Sequence, residues 1–317
     1  MIGLHQLYLL AGAMFGAIAV FSALDGSNPK RFGNAAFWGL MAVSLLAGDL
    51  IGDFGNGLLV LGLAALAGFG FLGRSHPPTT DQADREGYSE RLGNRLFLPA
   101  LIIPLVALIG TLLYTYTPLK DSGLLEAKRE TFVFLGLGVL VALAVIFVWL
   151  RPPATAPLQE GRRLVDAIGW AIVLPQMLAA LGALFAAAGV GTVIGEITKS
   201  VIPEGSIFLT VAVYGLGMAL FTMIMGNAFA AFPVMAAAIG VPLLIHGYGG
   251  NPAVIGAIGM LAGFSGTLMT PMAANFNLVP AALLELKDRN GVIKAQIGTA
   301  LPLLAINILF MWWFAFR

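Results

Sequence analysis

The chain contains no cysteine and only three histidines. Those absences exclude a disulfide frame, thiolate metal sites and a cysteine nucleophile. Charge is as scarce: Asp, Glu, Lys and Arg make up 10% of the residues, against roughly 25% in a typical soluble domain. A soluble protein of 317 residues could not cover its surface with so few. An ordinary cytosolic enzyme, a nucleic-acid binder and a disordered chain are therefore excluded. The formal net charge of +1 points to no partner. No His-Glu-x-x-His helix and no paired intramembrane aspartates occur, and His5, His76 and His246 fall at run ends or in loops. With no base, nucleophile or metal constellation, no enzyme and no cofactor are expected.

What the chain has is apolar residues, at 59%, together with 40 glycines and a mean hydropathy of +0.91. It reads as an all-α integral membrane protein. A transmembrane helix needs about 20 mostly apolar residues, and runs at 4–24, 32–52, 54–73, 96–117 and 131–150 qualify. The second half breaks differently, into blocks at 164–200, 206–245, 251–284 and 295–316. The first three are too long for one simple crossing and carry internal Gly, Pro and Asn. Met1–Gln6 lacks a basic n-region and no cleavage pattern follows the first run, so that run reads as a spanning helix.

The basic residues choose an orientation. With the N-terminus outside, the connectors 25–31, 74–95 and 151–163 lie inside. Keeping the uncharged 246–252 loop outside and Lys287, Arg289 and Lys294 inside requires 206–245 to enter and return on one side. Lys and Arg then divide 12 inside to 5 outside, as the positive-inside rule prefers. The expectation is about eight transmembrane helices plus one re-entrant hairpin, with both termini outside. The organisation reads as a three-helix unit 1–73, a cytoplasmic connector 74–95, scaffold helices 96–150, a linker 151–163 and a transport unit 164–317.

Two segments carry candidate chemistry. Gly226, Asn227 and Ala228 sit at the middle of 206–245, where a hairpin turns. Irregular backbone at membrane depth must be satisfied by protein or line a cavity. There, helix N-termini favour anions and unwound carbonyls favour cations. In 251–284, Pro271 interrupts the helix among Thr267, Thr270, Asn275 and Asn277, a broken helix with binding-site polarity. The plain alternatives are an interhelical Asn bond and a proline kink satisfied by its neighbours. Pro175-Gln176 marks a weaker break, with Gln176 as a further substrate candidate. Asp49, Asp53, Asp166 and Glu196 lie near expected helix ends, so no mid-membrane carboxylate offers a proton relay.

From these segments a resemblance follows. Residues 160–317 look like the C-terminal half of the ion-transporter superfamily of gluconate and dicarboxylate permeases, in which each half carries a re-entrant hairpin and a broken helix. Gly226-Asn227-Ala228 stands at the hairpin tip, with Phe229 where that fold has a small or hydroxyl residue. Over nearly its whole length the chain is similar to domain of unknown function 979, DUF979, a bacterial membrane family. That resemblance implies one subunit of a 5-oxoproline transporter, working beside a shorter membrane subunit of DUF969 type. It implies half of an elevator-like fold, a bacterial inner-membrane location and coupling to Na+ or H+, with Na+ the only cofactor-like ion. It also implies a missing half supplied by the partner. The competing expectation is a non-transporting scaffold subunit whose polar breaks only pack.

Overall fold

The computed structural model describes residues 1–73, 75, 81–201, 203 and 205–317. Arg74 and His76, part of the expected connector, lie outside the described residues. The described residues form helices and no strand, in two compact units, Met1–Asp166 and Ala167–Arg317. Among the described residues eight helices are long and apolar enough to cross a membrane: Leu4–Leu24, Arg31–Gly68, Ala83–Tyr116, Glu130–Leu150, Ala156–Ala187, Ile207–Met225, Ala228–Ile245 and Gly291–Ala315. The number equals the sequence expectation, but the members differ.

In the first unit, α1 spans Leu4–Leu24 and α2 spans Arg31–Gly68. The latter is two helices joined at Gly52, whose φ of 65° and ψ of −179° interrupt the helical backbone. The halves fold back on one another. A Cβ at Gly62 would stand 3.3 Å from Leu40, and Gly33 lies against the Phe71 backbone. Asn56 ties the turn by donating to the Gly48 and Gly52 carbonyls at 2.8 and 3.0 Å. The two crossings read from 32–52 and 54–73 are thus present within one 38-residue element, with Asp49 and Asp53 exposed at its turn. Next come α3 (Gln82–Leu92), α4 (Leu98–Tyr116), α5 (Glu130–Leu150) and α6 (Ala156–Ile168).

A buried polar lock holds α6 in place. Arg162 donates to the Phe21 carbonyl and to Asp25, both at 2.8 Å. Asp166 accepts from Asn34 at 3.1 Å, from Trp38 at 2.8 Å and from the Ser75 hydroxyl. Arg162 is buried and Asp166 half-buried; charges taken from water require such partners, so Asp166 is a fastened group near the end of α6.

The second unit contains α7 (Leu174–Ala187), α8 (Val190–Val201), α9 (Ile207–Met225), α10 (Ala228–Met235), α11 (Pro252–Thr267), α12 (Ala274–Leu283) and α13 (Gly291–Ala315). Beyond Met235 the α10 backbone continues as a π-helix through Ala236–Ile245. The block 164–200, read as one crossing, is broken at Gly169 and Gly189, whose φ values are 60° and 70°. Pro175 starts α7, where a missing N–H costs nothing. A helix boundary thus stands just before Pro175, and a second break lies at Gly189, between α7 and α8. Apolar helices gain little hydrophobic free energy by meeting in lipid, so close approach at small residues takes over. Cβ atoms at Gly182, Gly191 and Gly195 would lie 2.9 Å from Ala230, 2.9 Å from the Val234 carbonyl and 2.7 Å from the Ala238 carbonyl. Through these glycines α7 and then α8 run along α10 and its π-helical extension. Tyr214, Met218, Met235, Ile239, Ile255 and Met311 fill the core, with Gly259 leaving room for the Tyr214 ring.

Candidate functional site

The site is built where α9 reverses and α11 breaks. α9 ends at Gly226, whose φ of +68° is a left-handed cap that glycine adopts without a Cβ penalty. Space demands glycine as well, because a Cβ would meet the Met272 carbonyl and stand 2.5 Å from Leu178. Asn227 follows in extended conformation and caps α10, its Oδ1 accepting from the Phe229 N–H at 2.8 Å.

Opposite, α11 stops at Thr267 and α12 starts at Ala274. Asn277, fully buried, staples this gap by donating to the Thr267 and Thr270 carbonyls at 2.8 and 2.7 Å. Thr270 donates its hydroxyl to the Met223 carbonyl of α9 at 2.8 Å and accepts from the Met272 N–H at 3.2 Å. Thr267 donates to the Phe264 carbonyl at 2.6 Å. The break is therefore satisfied by its own side chains, which also fasten it to the end of α9.

A cavity of about 170 Å³ lies between the two features. Of the expected residues, Gly226, Asn227, Thr267 and Asn275 line it. Ala228, 1% exposed, stands behind them. Thr270 and Asn277 are buried in the frame, 4% and 0% exposed, and do not face the cavity. Pro271 and Gln176 are exposed away from it. The structure adds Leu178, Met272, Ala273, Phe276 and the aromatic pair Phe229 and Phe264. Apolar residues in an apolar chain carried no signal of this. Thr222, one turn before Gly226, was likewise missed: its fully buried hydroxyl has no partner among the described residues.

Two helix N-termini, those of α10 and α12, open on this cavity through Asn227, Ala273, Ala274 and Asn275. Helix N-termini carry about half a positive charge and unsatisfied N–H groups, so the arrangement favours an anion. Among the described residues no titratable side chain lines the cavity. Among the described residues no group of three or more His, Asp or Glu is placed to hold a metal. The volume is below the roughly 300–1,000 Å³ of pockets for drug-sized ligands.

The described residues define an all-helical protein with eight helices long and apolar enough to cross a membrane and a small cavity at a helix reversal. The chain belongs to the family described as "Protein of unknown function (DUF979)", whose model matches residues 5–316. No curated protein and no solved structure matches it.

Proposed function

We propose that this chain is one subunit of a secondary active transporter for a small carboxylate, with 5-oxoproline as substrate and Na+ or H+ as coupling ion. The observation that carries the reading is the meeting of two helix N-termini in one small cavity free of acidic side chains. A carboxylate there receives backbone N–H groups and helix dipoles. Asn227 and Asn275 face the same space and offer amide donors and acceptors to the lactam. Phe229 and Phe264, in edge contact at 5.6 Å between centroids, give the ring an apolar wall.

In this reading 206–245 enters and returns on one side, with each of its two arms long and apolar enough to cross. Asn251 N–H donates to the Ala315 carbonyl at 2.8 Å, so α11 and α13 share a level at that end. From there α13 extends 25 residues, while the two hairpin arms have 19 and 18. The protein then resides in a bacterial inner membrane with both termini outside. A second membrane subunit of DUF969 type supplies the opposing half-site.

A scaffold role is the competing reading, favoured by the internal bonds that use up Thr270 and Asn277. Uptake of labelled 5-oxoproline by proteoliposomes decides, with this chain alone and with the partner, with and without a Na+ gradient. Gradient-driven uptake by the pair is expected. No uptake of any small carboxylate by the pair leaves the scaffold reading.

A further inference from the structure

A second cavity, in the first unit, has the opposite chemistry. It holds about 590 Å³ and is lined by α1, α5, the end of α4 and the loop between α4 and α5. Leu7, Leu10, Val133, Leu137 and Leu140 form its long walls, and Gln6 and Tyr114 are its polar members. Among the described residues no charged one lines it.

One end of this cavity is roofed by a pinned loop. Ile2 N–H donates to the Leu124 carbonyl at 2.8 Å, and Glu126 N–H to the Ile2 carbonyl at 2.9 Å. The Tyr114 hydroxyl donates to the Lys120 carbonyl at 3.5 Å and accepts from the Leu125 N–H at 3.4 Å. The same loop supplies Leu119, Leu124 and Leu125 to the cavity lining.

The loop's charges are unevenly used. Glu126 accepts from the Leu4 N–H at 3.1 Å and Glu130 from the Lys128 N–H at 3.1 Å, so both carboxylates are engaged by backbone. Lys120, Lys128 and Arg129 are exposed and form no ion pair among the described residues. Asp121 is the remaining carboxylate of the loop. Lys120 follows the lining residue Leu119, and Arg129 stands one turn before the lining residue Val133. An apolar slot of about 590 Å³ thus adjoins a pinned loop that carries three exposed cations.

We propose that this is a binding site for an anionic phospholipid, with one acyl chain in the cavity and the phosphate held by Lys120, Lys128 and Arg129. The neutral lining excludes the headgroup from the slot. The cations choose phosphatidylglycerol-like over zwitterionic lipid, because each Lys or Arg near a membrane surface attracts negative headgroups. A lipid held at both ends fixes the loop against the α1 and α5 faces, and stability then rises with occupancy. This site is independent of the carboxylate cavity.

Native mass spectrometry of the full chain in neutral detergent tests the assignment, with phosphatidylglycerol and phosphatidylcholine of identical chains. Wild type should retain phosphatidylglycerol in preference by roughly a hundredfold at low salt, about fivefold per cation. Lys120→Gln, Lys128→Gln and Arg129→Gln together should bring the two lipids to parity, with helicity and monodispersity unchanged. Leu137→Trp, which fills the slot, should release both. Equal retention by wild type overturns the proposal, as does a preference that survives the triple substitution or the tryptophan. Loss of a co-expressed membrane subunit on Leu137→Trp, with neither lipid retained by wild type, would instead assign the slot to a partner helix.

Discussion

At the residue scale the site depends on a few side chains with separable jobs. Asn227 both caps α10 and faces the cavity. Asn227→Asp keeps a good cap but places a negative charge where the proposed reading seats the substrate carboxylate. Uptake by the reconstituted pair should fall at least about a hundredfold, some 2.7 kcal/mol, while the melting temperature in detergent stays within a few degrees. Unchanged uptake would remove Asn227 from the site. Asn277→Ala acts the other way. It strips the donor from the Thr267 and Thr270 carbonyls in a fully buried position, which costs about 1–3 kcal/mol for each unsatisfied group. Asn277→Leu restores volume but not the donors, so its thermal unfolding should be lowered nearly as much.

At the element scale, the helix breaks differ in how well the sequence announces them. Gly226-Asn227 and Thr270-Pro271 were legible because a left-handed cap, a side-chain cap and a missing N–H require particular residues. The bend at Gly189 was not, since Ala187-Ala188-Gly189-Val190-Gly191 holds no proline or polar residue. Gly189 is a left-handed glycine cap, with φ of 70°, but one glycine among 40 does not single itself out. The bend is used by the approach of α8 to carbonyls of the α10 extension at Gly191 and Gly195. Gly195→Ala places a Cβ 2.7 Å from the Ala238 carbonyl and should lower stability by about 1–3 kcal/mol. Gly298→Ala, where nothing stands within 4 Å, should not lower it, because alanine is the better helix former by about 1 kcal/mol. Thermal melts of the two variants side by side make the comparison. The connection between α12 and α13 has its own clamp: Lys294 donates to Asp288 at 2.7 Å, and the Asn290 N–H at 2.9 Å. The Lys294 bond, then the Asn290 amide, hold the Asp288 carboxyl below its ordinary range. A depressed folded value means the clamp is intact above the unfolded value of about 3.9 and is lost as pH falls through the folded one. Carboxyl-labelled NMR should give Asp288 a midpoint below that of the free side chain.

At the scale of the whole molecule, charge counting and geometry agree on which chain ends share a side within each unit. Ile2 pairs with Leu124–Glu126, Asp25 with Arg162, and Asn251 with Ala315. Each pairing joins segments that the basic-residue tally assigns to one side. Reporter fusions should therefore place residues near 155 and 288 in the cytoplasm and those near 122 and 249 outside. The opposite pattern would invert the whole assignment. The cavity's composition was only half legible at this scale, because its aromatic members look like any lipid-facing residue. Phe229 and Phe276 remain 65% and 51% exposed in the single chain, which suits a site completed by another subunit.

The bond from the Thr270 hydroxyl to the Met223 carbonyl joins the helix reversal to the helix break. Neither can open by itself while that bond stands. In hydrogen exchange, the Gly226 and Ala274 amides, which bond to backbone carbonyls and not to the Thr270 hydroxyl, should then behave as one cooperative unit, exchanging at a common rate. Thr270→Val, which keeps the shape and removes the donor, should split that rate in two. The site would then open by separate fraying of its two walls, where the wild type moves both as one body.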